Sequence, residues 1–335
     1  MVKLSVLDQS TAARDQPEGQ AIRDTIALAG LCESLGYHRF WVSEHHCHPS
    51  IVGTAPEILI AAIAQSTARI RVGSAGVMLP HYAPLKVAEQ FRVLEAIAPG
   101  RIDLGLGRAP GSDGRTAQAL NPNCNIDAER FPANVRDLIA WVSGQPLMDD
   151  HPHLGLRAHP GGPTSPEIWM LGTSDFGARL AAHFGIPYSF AHFITEGAGV
   201  ERALDLYRQH YQPSARHPEP QANICVWALA ADSDADAEFL FSSRAFCRIS
   251  RDRGDLRALE PPRPVADYAY NHVEQLRYDQ LRQTALIGSG DGVAVQLHEL
   301  ARQYGIDEIS VLTWTYHQSD RRRSYELLAK SWGLV

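Results

Sequence analysis

Residues 70–106 read IRVGSAGVMLPHYAPLKVAEQFRVLEAIAPGRIDLGL and contain two apolar runs separated by an amphipathic segment. The runs Ile70–Val77 and Ile102–Leu106 have the length and apolar content of buried β-strands. The segment between them, near 84–97, carries apolar residues at helical spacing and begins at a proline. A strand, a helix and a second strand in this order are typical of a unit with parallel strands.

The same alternation continues along the whole chain. Further strands are predicted at Lys3–Asp8, Arg39–Ser43, Ile168–Leu171, Tyr188–Ala191, Ile224–Ala230 and Ile309–Trp314. Further helices are predicted near 20–35, 56–67, 126–143, 175–184, 199–211, 234–248, 291–304 and 319–332. Eight strand–helix units are the number that closes a barrel. We therefore predict an α/β fold, a (β/α)₈ TIM barrel with insertions, as one domain over residues 1–335, with a doubly wound open sheet as the structural alternative.

Two segments exceed a minimal barrel. Residues 145–165 are rich in Pro, Gly and His, which predicts an irregular excursion or a small hairpin. Residues 245–290, which include Glu260-Pro261-Pro262-Arg263-Pro264, form a long insertion before the last barrel helices. Connections of this length in compact domains are usually lids or mobile segments. We therefore expect a mobile insertion at 245–290.

The composition excludes several partners. The net charge is -7, and no basic run is longer than Arg321-Arg322-Arg323, so nucleic acid is not expected to bind. The N-terminal residues are too short and too charged for a signal peptide, and no apolar run reaches the length of a membrane span. The five cysteines are widely spaced and lack a Cys-x-x-Cys pair. These features predict a cytoplasmic protein with reduced thiols and no membrane partner.

Active-site residues of a barrel follow the strands, and the first unusual segment, Trp41-Val42-Ser43-Glu44-His45-His46-Cys47-His48, ends the second strand. Its histidines, cysteine and glutamate resemble metal ligands, but consecutive side chains of an extended chain point to opposite faces and cannot all reach one ion. No metal site is predicted. Surface histidines without a role remain possible, but a histidine acting as acid or base at the barrel mouth is favoured, because its ordinary pKa lies near neutral pH.

The third strand, Val72-Gly73-Ser74-Ala75-Gly76-Val77-Met78, contains two glycines and two other small residues. Glycine weakens a strand, so its presence often means that another group approaches the backbone closely. A flat ring could lie against this strand. Tight packing inside the barrel is the alternative explanation.

The fourth strand ends in Gly105-Leu106-Gly107-Arg108-Ala109-Pro110-Gly111. Its glycines have one residue too many between them for a dinucleotide-binding fingerprint, and Pro110 stands where a helix should begin. A Rossmann site is therefore rejected. Arg108 leaves the strand among small residues and is suited to bind a phosphate group.

The fifth strand ends in Leu171-Gly172-Thr173-Ser174, directly before the helix that begins at Asp175. Two hydroxyl groups and free backbone amides at a helix N-terminus form an anion site. Ordinary N-capping by Thr173 or Ser174 explains the same residues and remains an alternative. Asp175 would repel a phosphate, so we expect it to face solvent or to cap its own helix.

Four segments are considered together: Glu44-His45-His46, the third strand, residues 100–113 and the Gly172-Thr173-Ser174 turn. In their order and spacing they closely resemble the corresponding segments of one family. It is the bacterial-luciferase-like, flavin-dependent monooxygenase family, in particular its non-bioluminescent "group 1" branch. The resemblance implies a luciferase-like barrel in which reduced FMN reacts with O₂ to give a flavin hydroperoxide that oxygenates a small organic substrate. The enzyme would then be an oxidoreductase that incorporates oxygen from O₂.

The resemblance also implies roles for individual residues. His45 matches the family's active-site histidine, and Glu44 is expected to orient it. Ala75-Gly76 matches a non-prolyl cis peptide under the flavin ring. Arg108, Thr173 and Ser174 match the phosphate contacts, and Gly172 is expected to bind the cofactor beside them. The substrate pocket is expected to include Asp8, Trp227 and Trp314, and the two tryptophans depart from what the family's close relatives would have. Gly107 stands where the luciferase catalytic subunit has a reactive cysteine, so no thiol is expected to take part.

No nicotinamide-binding motif occurs in the sequence, so electrons are expected from a separate NAD(P)H:FMN reductase. A homodimer formed through helices 56–67 and 84–97 is implied by the family resemblance. Three alternatives remain: a hydride-transferring reductase that uses a deazaflavin or flavin, a catalytically silent flavin-binding protein, and a barrel that binds a sugar phosphate without flavin.

Overall fold

Eight parallel strands close into a barrel in the computed structural model, which describes residues 2–335. The barrel order is β1-β2-β3-β4-β5-β6-β7-β9, and β9 pairs with β1 to close it. The barrel strands are β1 Lys3–Asp8, β2 Arg39–Val42, β3 Arg71–Met78, β4 Ile102–Gly107, β5 Glu167–Gly172, β6 Tyr188–Phe190, β7 Ala222–Ala231 and β9 Glu308–Leu312. The predicted TIM barrel is therefore confirmed, and each of the eight predicted strands is present.

Helices surround the barrel and bury apolar faces against it. They are α1 Glu18–Ser34, α2 Pro56–Ser66, α3 Pro84–Ile97, α4 Gly114–Leu120, α5 Cys124–Glu129, α6 Phe131–Ser143, α7 Asp175–Phe184, α8 His192–Thr195, α9 Val200–His210, α10 Asp234–Asp252, α11 Pro262–Ala266, α12 His272–Gln283, α13 Gly290–Tyr304 and α14 Gln318–Trp332. The helix predicted at 126–143 is two helices, α5 and α6. The break falls at Arg130 because Pro132, in the first turn of α6, has no backbone N–H to donate.

The insertion at 245–290 is more ordered than its composition indicates. It contains the end of α10, the helices α11 and α12, and a strand that was not predicted, β8 Leu286–Ser289. This strand pairs with the upper half of β7, Ala228–Ala231, whereas β9 pairs with the lower half, Asn223–Trp227. Mobility of the insertion stays a prediction. Residues 145–165 form turns without a strand, so the irregular excursion is present and the hairpin is not.

The inward-facing side chains at the N-terminal ends of the strands form an ion cluster across the barrel floor. The guanidinium of Arg39 on β2 lies 2.7 Å from Asp103 and 3.2 Å from Glu167, and it donates to Glu308 at 3.1 Å. Arg71 on β3 donates to the second oxygen of Asp103 at 3.0 Å. Burial lowers the pKa of Arg39, but the three carboxylates outweigh this effect and raise it above its ordinary value.

The five cysteines of the chain are free thiols in the structure. Within the described part of the chain, no helix combines the length and the hydrophobicity required to cross a bilayer.

We predict that Arg39→Met destabilises the protein by about 3–5 kcal/mol, because it leaves buried carboxylates without their cation. Chemical unfolding followed by circular dichroism measures this change. Arg23→Met removes an exposed arginine of α1 as a control and should change the free energy of unfolding by less than about 0.5 kcal/mol. Equal effects of the two substitutions would show that the floor cluster does not stabilise the fold.

Candidate active site

Two cavities lie at the C-terminal ends of the barrel strands. The inner cavity, of about 390 Å³, is bounded by the ends of β3, β4 and β5 and by the first residues of α7. The outer cavity, of about 380 Å³, is bounded by the loop after β2 and by α10 with the segment that follows it. Both are lined by Gln9, His45, Gly111, Phe193 and Ile194. His45 therefore stands where the two cavities meet.

The inner cavity brings together every residue that was predicted to bind the cofactor, namely Ala75, Gly76, Arg108, Gly172, Thr173 and Ser174. The Ala75–Gly76 peptide bond is cis, as the resemblance implied. Close packing also explains the glycines of β3, since a Cβ atom on Gly76 would lie 2.7 Å from the carbonyl oxygen of Gly105. Close packing against β4 is therefore confirmed for Gly76, and because Gly76 also lines the cavity, the approach of a flat ring stays a prediction.

Arg108 and the N-terminus of α7 form one corner of the inner cavity. The guanidinium of Arg108 lies 4.1 Å from the ring centroid of Phe176, and within residues 2–335 it has no ion-pair partner. Ser174 is the N-cap residue of α7, yet its side chain accepts no hydrogen bond from the helix amides. Asp175 faces away and pairs with Arg202 at 2.5 Å. Side-chain capping therefore does not explain the turn, and the corner presents positive charge and free donors to an anion.

His45 is largely enclosed, and its Nδ1 atom lies 3.2 Å from the hydroxyl of Ser43. Burial, with smaller contributions from His48 and His46, lowers the pKa of His45 to about 4. The pKa of His45 in the folded chain therefore lies below the ordinary value that favoured it as an acid or base, and its acid–base role stays a prediction. At pH 7 the ring is neutral, so one nitrogen can accept a hydrogen bond while the other donates one.

Glu44 has a different role from the predicted one. Its buried carboxylate lies 2.7 Å from Nε2 of His46, accepts the Tyr82 hydroxyl at 2.6 Å, and accepts the backbone N–H of Met78 at 3.0 Å. It does not orient His45, because neighbouring side chains of an extended segment point in opposite directions. Glu44 instead fixes the end of β3 beside the inner cavity.

Asp8 was predicted in the substrate pocket, and the structure contradicts this. Its carboxylate pairs with Arg321 at 2.9 Å and accepts the Thr25 hydroxyl at 2.6 Å. Side chains alternate along β1, so Leu7 and Gln9 face the inner cavity while Asp8 faces the helix layer.

Trp227 and Trp314 line the outer cavity, as predicted for a substrate pocket. The indole N–H of Trp314 donates to the side-chain oxygen of Gln9 at 3.1 Å. Sequence reasoning missed Gln9 and Arg244, which also line this cavity. Gln9 directly follows a strand and could have been found by that position, whereas Arg244 lies inside a helix. Among residues 2–335, no three His, Cys, Asp or Glu side chains are grouped to hold a metal ion.

Comparison with known proteins assigns the chain to a family. The family model described as luciferase-like monooxygenase matches residues 2–308, and the chain belongs to this family. Uncharacterized protein YwcH of Bacillus subtilis is 42% identical over 99% of both chains. The N-acetyl-S-alkylcysteine monooxygenase of the same organism is 35% identical over 98% of both. The class of protein is therefore a luciferase-like oxidoreductase.

Solved structures agree with this assignment. The structure of apo-MsnO8 is 35% identical, has a TM-score of 0.90 and is matched over 100% of this chain and 99% of its own. Two more distant structures share the fold, with 98% or more of each chain covered. They are the FMN complex of the oxygenating constituent of 3,6-diketocamphane monooxygenase from Pseudomonas putida, at 20% identity and a TM-score of 0.72, and an F420-dependent secondary alcohol dehydrogenase, at 13% and 0.71.

We predict that His45 remains neutral down to about pH 4 in the folded protein. Its lowered pKa means that the unfolded chain binds the proton more readily, so this group lowers stability as the pH falls from 6.5 towards 4. A histidine NMR titration of the wild type, with the His45 signal assigned by its loss in His45→Asn, measures the midpoint. A midpoint near 6.5 would contradict the prediction.

Proposed function

We propose that the protein is an FMN-dependent monooxygenase that uses reduced FMN and O₂ to oxygenate a small organic substrate. One observation carries the proposal: Arg108, the Ala75–Gly76 peptide and His45 line one cavity, and His45 also lines a second, adjacent cavity. Such an arrangement suits a phosphorylated flat cofactor in the inner cavity and a substrate in the outer cavity.

The residues of the inner cavity fit FMN. Arg108 has no acidic partner among the described residues, and with Thr173, Ser174 and the first amides of α7 it would hold the phosphate. The ring would lie against Ala75 and Gly76, where the absence of larger side chains leaves the backbone open to it. When bound and reduced, FMN supplies the electrons that activate O₂.

The protein's own groups position the reactants and control protons. The neutral ring of His45, at the junction of the cavities, can donate or accept a hydrogen bond at the reacting oxygen. Glu44 acts as a positioning residue, since it holds Met78 and Tyr82 at the end of β3. Phe193 and Ile194 line both cavities and help to exclude water from the reacting atoms.

Two partners belong to the proposal. Electrons would come from a separate NAD(P)H:FMN reductase, and the name "oxygenating constituent" of the P. putida structure supports such a division.

The chain would also form a homodimer through α2 and α3. In support, Ile58 is 67% exposed on α2, Val93 and Ile97 are 46% and 39% exposed on α3, and the two helices are neighbours.

The reaction type is tested by mixing the protein with reduced FMN rapidly with O₂ and following the flavin spectrum. We expect a spectrum distinct from both reduced and oxidised flavin before oxidised FMN appears, because the enclosed inner cavity excludes water. The same mixing without protein is the control. Reoxidation at the rate of free flavin, or reaction only with a deazaflavin, would instead favour the hydride-transfer alternative.

The phosphate contact is tested by Arg108→Ala. A charge-assisted hydrogen bond is worth about 1.5–3 kcal/mol, so the variant should bind FMN about 10- to 200-fold more weakly. Riboflavin has the same ring without the phosphate, and its affinity should stay almost unchanged. Fluorescence titration of the wild type and the variant with both flavins measures this. Equal losses for FMN and riboflavin would show that Arg108 does not bind the phosphate.

A further inference from the structure

Arginines dominate the charge of the outer cavity. Arg244, Arg248 and Arg251 lie at helical spacing on one face of α10, and Arg257 follows from the next segment. The only carboxylate that lines the cavity is Asp113, which caps α4 by accepting a hydrogen bond from Thr116. This local excess of positive charge occurs in a chain whose net charge is -7. A cavity of one sign attracts ligands of the opposite sign.

Three of the four arginines have acidic partners. Arg248 lies 2.9 Å from Glu196, Arg251 lies 3.6 Å from Asp252, and Arg257 pairs with Asp255. Arg244 differs, because none of the carboxylates in residues 2–335 forms an ion pair with it and no hydrogen bond to its guanidinium occurs in that range. It is nevertheless only 7% exposed.

The guanidinium of Arg244 is held in a fixed position. It lies 4.1 Å from the ring centroid of Trp227, in the geometry of a cation–π contact. Burial and the positive charge of Arg248 both lower the pKa of Arg244, because each disfavours the charged guanidinium. A guanidinium stays charged at neutral pH, so the charge requires an anion that the chain itself does not provide.

We propose that the outer cavity binds a small organic acid, with its carboxylate on Arg244 and its apolar part beside Trp227, Trp314 and Phe193. The claim that such an acid is the substrate rests on the proposed function. The claim that the outer cavity binds such an acid does not. The carboxylate would lie at the α10 side of the cavity, and the rest of the acid would extend towards His45. The acid's reacting atom is therefore at its end remote from the carboxylate.

A carboxylate fits better than a phosphate. Arg244 is the one guanidinium in this cavity that has no acidic partner among the described residues, so a ligand's negative charge would be placed on a single group. The planar guanidinium forms two parallel hydrogen bonds with a carboxylate. The helix N-terminus that reaches the outer cavity, that of α4, is already capped by the carboxylate of Asp113, which would repel a phosphate.

The test compares acids with their neutral amides. Phenylacetate and hexanoate, and the amides phenylacetamide and hexanamide, are titrated into the full chain by ligand-observed NMR, with and without FMN. We expect saturable binding of at least one acid and at least about 10-fold weaker binding of its amide. Arg244→Met should weaken the acid by about 10- to 200-fold, and Arg244→Lys should retain part of the affinity because it keeps the charge but not the planar fork.

Arg263→Met, which removes an exposed arginine of α11 outside the cavity, is the matched control and should leave acid binding unchanged. The melting temperature provides a second readout. Arg244→Met should melt no lower than the wild type, because it removes a buried charge that lacks a partner.

The proposal is overturned if acid and amide bind equally, if no acid binds saturably, or if Arg244→Met binds acids normally. Failure of the oxygen reaction with reduced FMN would contradict the proposed function but would leave these binding results intact. Loss of acid binding with a normal oxygen reaction would contradict only the present inference.

Discussion

The ion cluster at the barrel floor is the constraint on which the upper half of the molecule depends. Arg39 joins carboxylates from β4, β5 and β9, so one side chain connects strands from opposite sides of the barrel. Asp103 also accepts the indole N–H of Trp41 at 2.9 Å, and the ring of Trp41 lines the inner cavity. The ion cluster at the barrel floor therefore fixes the position of the Trp41 ring directly above it. Because the charges are buried, each must stay paired, and this requirement holds the strands in register.

The two cavities above this floor are built from different parts of the chain. The inner cavity uses the ends of β3, β4 and β5, where small residues bring backbones close together and leave little freedom for substitution. The outer cavity uses the loop after β2 together with α10 and its following segment, whose side chains are long and charged. A rigid, small-residue site suits a cofactor of constant shape, whereas a site lined by long side chains can be altered one residue at a time. His45 belongs to both.

The barrel and the residues of the inner cavity could be predicted because each rests on a local pattern. Strand–helix alternation reveals the barrel. The glycines of β3 lie within a strand, where they are uncommon, and Arg108 and the Gly172-Thr173-Ser174 turn lie where strands end. The predictions that failed concern the direction in which a side chain points and the groups with which it interacts. The side chains of Asp8 and Glu44 face away from the predicted site, and the pKa of His45 depends on burial that no local pattern encodes. Strand β8 was missed because its four residues form a strand only through pairing with β7.

The division of β7 has a consequence for how this enzyme can diversify. The lower half of β7 pairs with β9 and closes the barrel, while the upper half pairs with β8 and carries the α10–α12 segment. Closure of the barrel and attachment of the α10–α12 segment therefore use separate stretches of one strand. Changes in the length or surface charge of residues 232–289 therefore leave the β7–β9 pairing that closes the barrel in place, whereas the side chains that this segment packs against the barrel core are constrained. Relatives can accordingly diverge most at its outward-facing positions.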